Sequence, residues 1–65
     1  MARERRLIEI AGRRTWRRLS EIAEEAGLTE HVVSEKLERY IRQAKIERSL
    51  QEVDGIHSVY YRRVQ

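Results

Sequence analysis

Apolar residues fall into four groups along the chain, and the spacing within each group predicts what it forms. From about Ala2 to Ala11, Leu7, Ile8, Ile10 and Ala11 mark one stripe of a helix, with Gly12 suited to the left-handed residue that follows a helix end. From about Trp16 to Ala26, Trp16, Leu19, Ile22, Ala23 and Ala26 recur every three or four residues on a single face, and Gly27 stops them. Thr15 is the expected N-cap of this second helix, unless Thr15-Trp16 is a short strand instead. The third group opens at Thr29, whose hydroxyl can cap free amides, and Glu30 suits the positive end of the helix dipole. Val33, Leu37, Tyr40 and Ile41 then form the inward stripe of a helix over about 30–43. Only Gly27-Leu28-Thr29 separates the second and third helices, so the two must cross sharply.

In the last third the period changes. Ile46 to Val64 is rich in Ile, Val and Tyr, with Asp54-Gly55 at its centre. Asp-Gly predicts a two-residue hairpin turn, because both turn positions need positive φ. The strands are then about 46–53 and 56–64. That turn pairs Val53 with Ile56, Leu50 with Val59, Arg48 with Tyr61 and Ile46 with Arg63. Ile46, Leu50, Val59 and Tyr61 share the face expected to be half-buried, and Val53, Ile56 and Tyr60 fall on the other.

Charge adds a gradient to this outline. The net charge of the 65 residues is +3. Residues 1–18 carry Arg3, Arg5, Arg6, Arg13, Arg14, Arg17 and Arg18 against Glu4 and Glu9, a local balance of +5. Glu21, Glu24 and Glu25 make residues 19–28 acidic, and the third helix is neutral, with Glu30, Glu35 and Glu38 offsetting Lys36, Arg39 and Arg42. A positive field at one end suggests a polyanionic partner, although an arginine-rich surface also serves plain solubility. Without cysteine the chain has neither disulfide nor thiolate metal site, so packing must hold one small domain together. No apolar run approaches the roughly 20 residues of a membrane span. The arginine-rich start lacks the apolar stretch of a secretory signal, so a cytoplasmic location is expected, nucleoid-associated in a prokaryote.

Helix, helix, three-residue turn, helix and hairpin is the order of the winged helix-turn-helix family, and the chain resembles that family over roughly residues 15–64. Glu21-Ile22-Ala23-Glu24-Glu25-Ala26-Gly27-Leu28-Thr29 looks like the family's turn segment, where an alanine lets two helices approach and a glycine bends the chain. Val33 and Leu37 match the buried positions of the recognition helix. Ile46-Glu47-Arg48 and Val59-Tyr60-Tyr61-Arg62 resemble the two strands of the wing. The resemblance implies an α+β fold, a three-helix winged helix-turn-helix with a C-terminal two-stranded β-hairpin wing. It also implies duplex DNA binding in transcription regulation, with the helix from Glu30 in the major groove.

On that reading Glu30, His31, Ser34 and Glu35 face base edges, and Lys36 and Arg39 reach phosphates or guanine. The first-turn amides around Thr29 and Glu30 hold a phosphate. Because the third helix is neutral, attraction must come from Arg13, Arg14, Arg17 and Arg18 and from Arg48, Arg62 and Arg63 in the wing. Other roles for these residues stay open. Glu35 and Glu38 can form helical pairs with Arg39 and Arg42, His31 can be an ordinary surface residue, and Trp16 and Tyr40 fit a core. A homodimer through the first helix at Leu7 and Ile8 is an alternative to a monomer. A protein partner docked on the acidic face, or RNA on the same scaffold, are alternatives to DNA.

Catalysis finds little footing. His31 and His57 lie in separate elements without an obvious carboxylate orienter, and no glycine-rich phosphate loop or metal-ligand spacing occurs. A core this small is not expected to leave room for a pocket of several hundred cubic ångströms. A non-enzyme without cofactor or metal is the expectation.

Overall fold

The computed structural model describes residues 2–64, with side chains from Arg6 onward, so the N-terminal Arg3, Glu4 and Arg5 of the charge gradient lie outside the described side chains. The elements run α1 (Ala2–Ala11), β1 (Arg17–Arg18), α2 (Leu19–Ala26), α3 (Glu30–Arg42), β2 (Ile46–Val53) and β3 (Ile56–Arg63). This is an α+β arrangement: three helices and one antiparallel sheet of three strands, in the order β1-β3-β2.

One core joins both parts. Leu7, Ile10 and Ala11 of α1, Ile22 and Ala23 of α2, Val33 and Leu37 of α3, Ile46 of β2 and Tyr61 of β3 are all buried and mutually packed. Those residues are the apolar stripe of each helix together with the helix-facing side of the hairpin. Burying such stripes stabilises short helices that would be marginal alone.

The expected two-stranded sheet is corrected to three strands. Arg17 and Arg18 pair with Tyr61 and Tyr60, which draws Trp16 out of α2. Helix α2 therefore starts at Leu19 rather than Trp16, and its N-cap is Arg18 in extended conformation, not Thr15. The three- and four-residue spacing of Trp16 and Leu19 imitated one more helical turn. Pairing of Arg17 and Arg18 with the tyrosines outweighs that local pattern.

Helix ends follow a shared scheme. After α2, Gly27 adopts φ 70°, Leu28 N–H donates to Ala23 O at 3.0 Å and Gly27 N–H to Glu24 O at 3.2 Å. After α3, Ala44 takes the same left-handed place at φ 57°, with Lys45 N–H donating to Tyr40 O at 2.9 Å and Ala44 N–H to Ile41 O at 3.0 Å. Both are Schellman closures, and the second uses a residue that pays a steric penalty there. Gly12, expected in that left-handed role, is not among the positive-φ residues. It is required for a different reason: a Cβ at Gly12 would collide with the backbone oxygen of Ile8.

The hairpin register is continuous, from Ile46 opposite Arg63 to Val53 opposite Ile56. Asp54 and Gly55 turn with φ 53° and 78°, the two positive values that the Asp-Gly pair predicts. Of the face expected to be half-buried, Ile46 and Tyr61 are buried and Val59 partly so, but Leu50 is 69% exposed. The face is right and the depth is not, because the hairpin extends past the helices that would cover Leu50.

Candidate nucleic-acid interface

Helix α3 begins with a formed cap. Thr29 Oγ1 accepts from Val32 N–H at 3.3 Å, and Thr29 O accepts from Val33 N–H at 3.0 Å. The first-turn amides of Glu30 and His31 have no carbonyl one turn earlier in the helix to receive them, so they point outward at the positive end of the dipole. At about 3.6 residues per turn, His31, Glu35 and Arg42 lie opposite the buried Val33 and Leu37. His31 Nε2 stands 3.0 Å from Glu35 Oε1 along that stripe with both side chains exposed, and His57 Nε2 stands 3.2 Å from Glu52 Oε1, so each histidine has a carboxylate beside it that the sequence did not reveal. Ser34 is half-buried on the flank, Lys36 is half-buried and Arg39 exposed.

The four N-terminal arginines do not form one patch. Arg17 is half-buried. Its guanidinium donates to Ile10 O at 3.1 Å, where it satisfies a carbonyl at the end of α1, and it pairs with Glu25 of α2 at 2.9 Å. Arg13 reaches the same Glu25 at 3.3 Å. Arg17 and Arg18 are adjacent strand residues, so their side chains leave opposite faces of the sheet. Arg18 lies over the Tyr60 ring at 5.8 Å and donates to its hydroxyl at 3.3 Å. That hydrogen bond to the hydroxyl raises the Arg18 pKa above its ordinary value. Arg14 is exposed, with no ion pair among the described residues.

The wing arginines divide in the same way. Arg48 is bonded to Glu38 of α3 at 2.6 Å and ties the hairpin to that helix. Arg62 pairs with Glu47 at 2.9 Å and covers the Trp16 ring at 4.4 Å, so Trp16 is a half-buried support of the outer sheet face. Arg63 is exposed, and its side chain has no anionic partner among the described residues.

Among the described residues Arg6, Arg14, Arg18, Arg42, Lys45 and Arg63 have no ion pair, and two of them, Lys45 and Arg63, meet near the C-terminal end of α3. Lys45 and Arg63 border one cleft with Ile8, Glu9 and Gly12. Arg63 N–H donates to Arg13 O at 2.7 Å, which brings Arg14 alongside, and Arg42 closes α3 just before Lys45. Arg42 and Lys45 were not legible as site residues. The sequence pairs Arg42 with Glu38 along the helix, whereas Glu38 turns to Arg48 across the fold. A second cleft lies between Arg18, Leu19 and Ser20, Glu30 of α3, and His57 to Val59 of β3. These open clefts reach about 450 Å³ and 370 Å³, larger than a core of this size suggested. Among the described residues no group of His, Cys, Asp and Glu is arranged to hold a metal ion, and no helix is long and apolar enough to cross a membrane.

Comparison with protein-family models, with curated proteins and with solved structures returns no match. What this surface does has to follow from its own residues.

Proposed function

We propose that the protein is a winged helix-turn-helix module that binds duplex DNA, in a regulatory rather than a catalytic role. The single observation that carries this reading is α3 itself. It is capped at Thr29, its His31–Glu35–Arg42 stripe is open to solvent, and a projecting hairpin stands beside it through the Arg48–Glu38 bond. The element order α1-β1-α2-α3-β2-β3 keeps the helix, helix, three-residue turn, helix and hairpin of that family and adds a short β1 on the central strand.

In this proposal α3 enters the major groove, whose width admits a helix. His31, Ser34 and Glu35 stand nearest the bases, and Thr29 and Glu30 present amides to a phosphate. Phosphate attraction comes chiefly from Arg14, Arg42, Lys45 and Arg63 rather than from Arg13 and Arg17, which are held by Glu25. Arg18 and the Asp54-Gly55 tip extend the contact along the duplex.

Titration of a random duplex at several salt concentrations tests the reading. Each phosphate contact contributes a slope of about −0.9 in log K against log salt, so contacts from Arg14, Arg42, Lys45 and Arg63 predict roughly −3 to −4. Replacing Arg14, Arg42, Lys45 and Arg63 together with Ala should flatten that slope and abolish binding at physiological salt. Absence of binding to any duplex at low salt, or an affinity indifferent to salt, overturns the proposal. Tighter binding to structured RNA in competition moves the assignment to RNA.

A further inference from the structure

Among the described residues strand β2 lies at the edge of the sheet, with β3 on one side and no strand on the other. Its register with β3 is unbroken over Ile46–Val53, and the strand contains no proline, lysine or bulge of the kind that usually protects an edge. In the middle of that edge Leu50 is 69% exposed.

The turn dictates which backbone groups face outward. In a two-residue hairpin the residues flanking the turn exchange both hydrogen bonds, so Val53 bonds Ile56, and alternate residues of β2 point the same way. Lys45 O, on the same odd-numbered series, accepts from Val64 N–H at 3.1 Å. Arg48, Leu50 and Glu52 therefore turn their N–H and C=O groups to the open edge. Their side chains share the helix-facing side of the sheet and read, along the strand, positive, apolar, negative.

We propose that the β2 edge pairs with the β2 edge of a second copy of this chain, antiparallel and centred on Leu50. In that register the outward groups of Arg48, Leu50 and Glu52 meet the outward groups of Glu52, Leu50 and Arg48 of the other copy. The two leucines cover one another across a close hydrogen-bonded pair, and two Arg48–Glu52 ion pairs flank them. A slip of one residue sets outward groups against groups already bonded to β3. A slip of two sets Leu50 opposite Arg48 or opposite Glu52. The sequence of the edge thus selects one self-complementary register, as a two-fold contact requires. Existing contacts do not compete: Arg48 uses one guanidinium nitrogen on Glu38, and Glu52 uses one oxygen on His57 at 3.2 Å, which leaves a donor and an acceptor for the second copy. The result is a continuous six-stranded sheet with the helices of both copies on the same side.

This inference does not rest on DNA binding, and its test contains no DNA. Sedimentation equilibrium of the whole chain should give a concentration-dependent dimer. Leu50→Lys should weaken it roughly tenfold or more, with helix content and melting temperature preserved because Leu50 is exposed. Arg48→Glu and Glu52→Arg, each alone, oppose like charges at both flanks and should sediment as monomers. Mixed in equal amounts, these two variants should form a heterodimer, since each altered side chain then meets its opposite. A wild-type monomer up to millimolar concentration overturns the proposal. So does a dimer indifferent to Leu50→Lys, or a mixture that stays monomeric while both variants remain folded by circular dichroism.

Discussion

The two halves of the β2–β3 hairpin are built alike and live in different surroundings. At the base, Ile46 and Tyr61 are about 1% exposed and packed on Leu7, Ile22 and Leu37. In the outer half, Leu50, Val53 and Ile56 are 69%, 45% and 64% exposed. Alternation is the same along both halves and so are the residue types. What differs is whether a helix lies over the strand. Period in the sequence identifies a face, whereas burial depends on where other elements stop.

The largest expected effect sharpens this contrast within one strand. Ile46→Ala should cost about 2–5 kcal/mol, because it removes a buried side chain from a core that collapses only partly around the gap. Leu50→Ala, four residues on and on the same face, should stay within about 0.5 kcal/mol in dilute solution. Urea denaturation of both variants measures the difference. Equal losses would mean that the outer half is covered after all.

Two glycines separate the halves in another way. At the base, Gly12→Ala drives a methyl group into the Ile8 carbonyl, whose backbone cannot swing aside, and should cost about 1–3 kcal/mol. At the tip, Gly55→Ala meets open space but keeps a φ of 78°, so only conformational strain of about 1 kcal/mol is expected. Thermal melts of the pair distinguish collision from strain. The smallest change runs the other way. Ala44→Gly should stabilise the α3–β2 turn by a few tenths to about 1 kcal/mol, because Ala44 already holds the left-handed conformation that glycine adopts freely. A loss there would mean that the extra freedom of the unfolded glycine outweighs the relieved strain.

The legible parts of the fold were those written by local chemistry. Asp54-Gly55 fixed the register of sixteen strand residues, Thr29 marked the start of α3, and Gly27 closed α2. Strand β1 was legible only as an alternative, placed at Thr15-Trp16, two residues before its position at Arg17–Arg18. It is two arginines long, without alternation, and exists because Tyr60 and Tyr61 offer a partner more than forty residues away. The candidate surface was legible as residue types but not as availability. Arg17 and Arg14 look equivalent in sequence, yet the first is held by Ile10 O and Glu25 and the second is open. Ion pairing across the fold decides which charge can meet a partner, and no spacing rule encodes it.

Strand β3 holds the middle of the sheet and comes after every other element in the chain. Without β3, α1, α2 and α3 lack the Tyr61 side chain that closes their common core, and β1 and β2 lack the strand both pair with. A chain cut back before Ile56 should therefore stay open to proteases, whereas residues 1–65 together should resist them. Order in this molecule arrives from the C-terminal side.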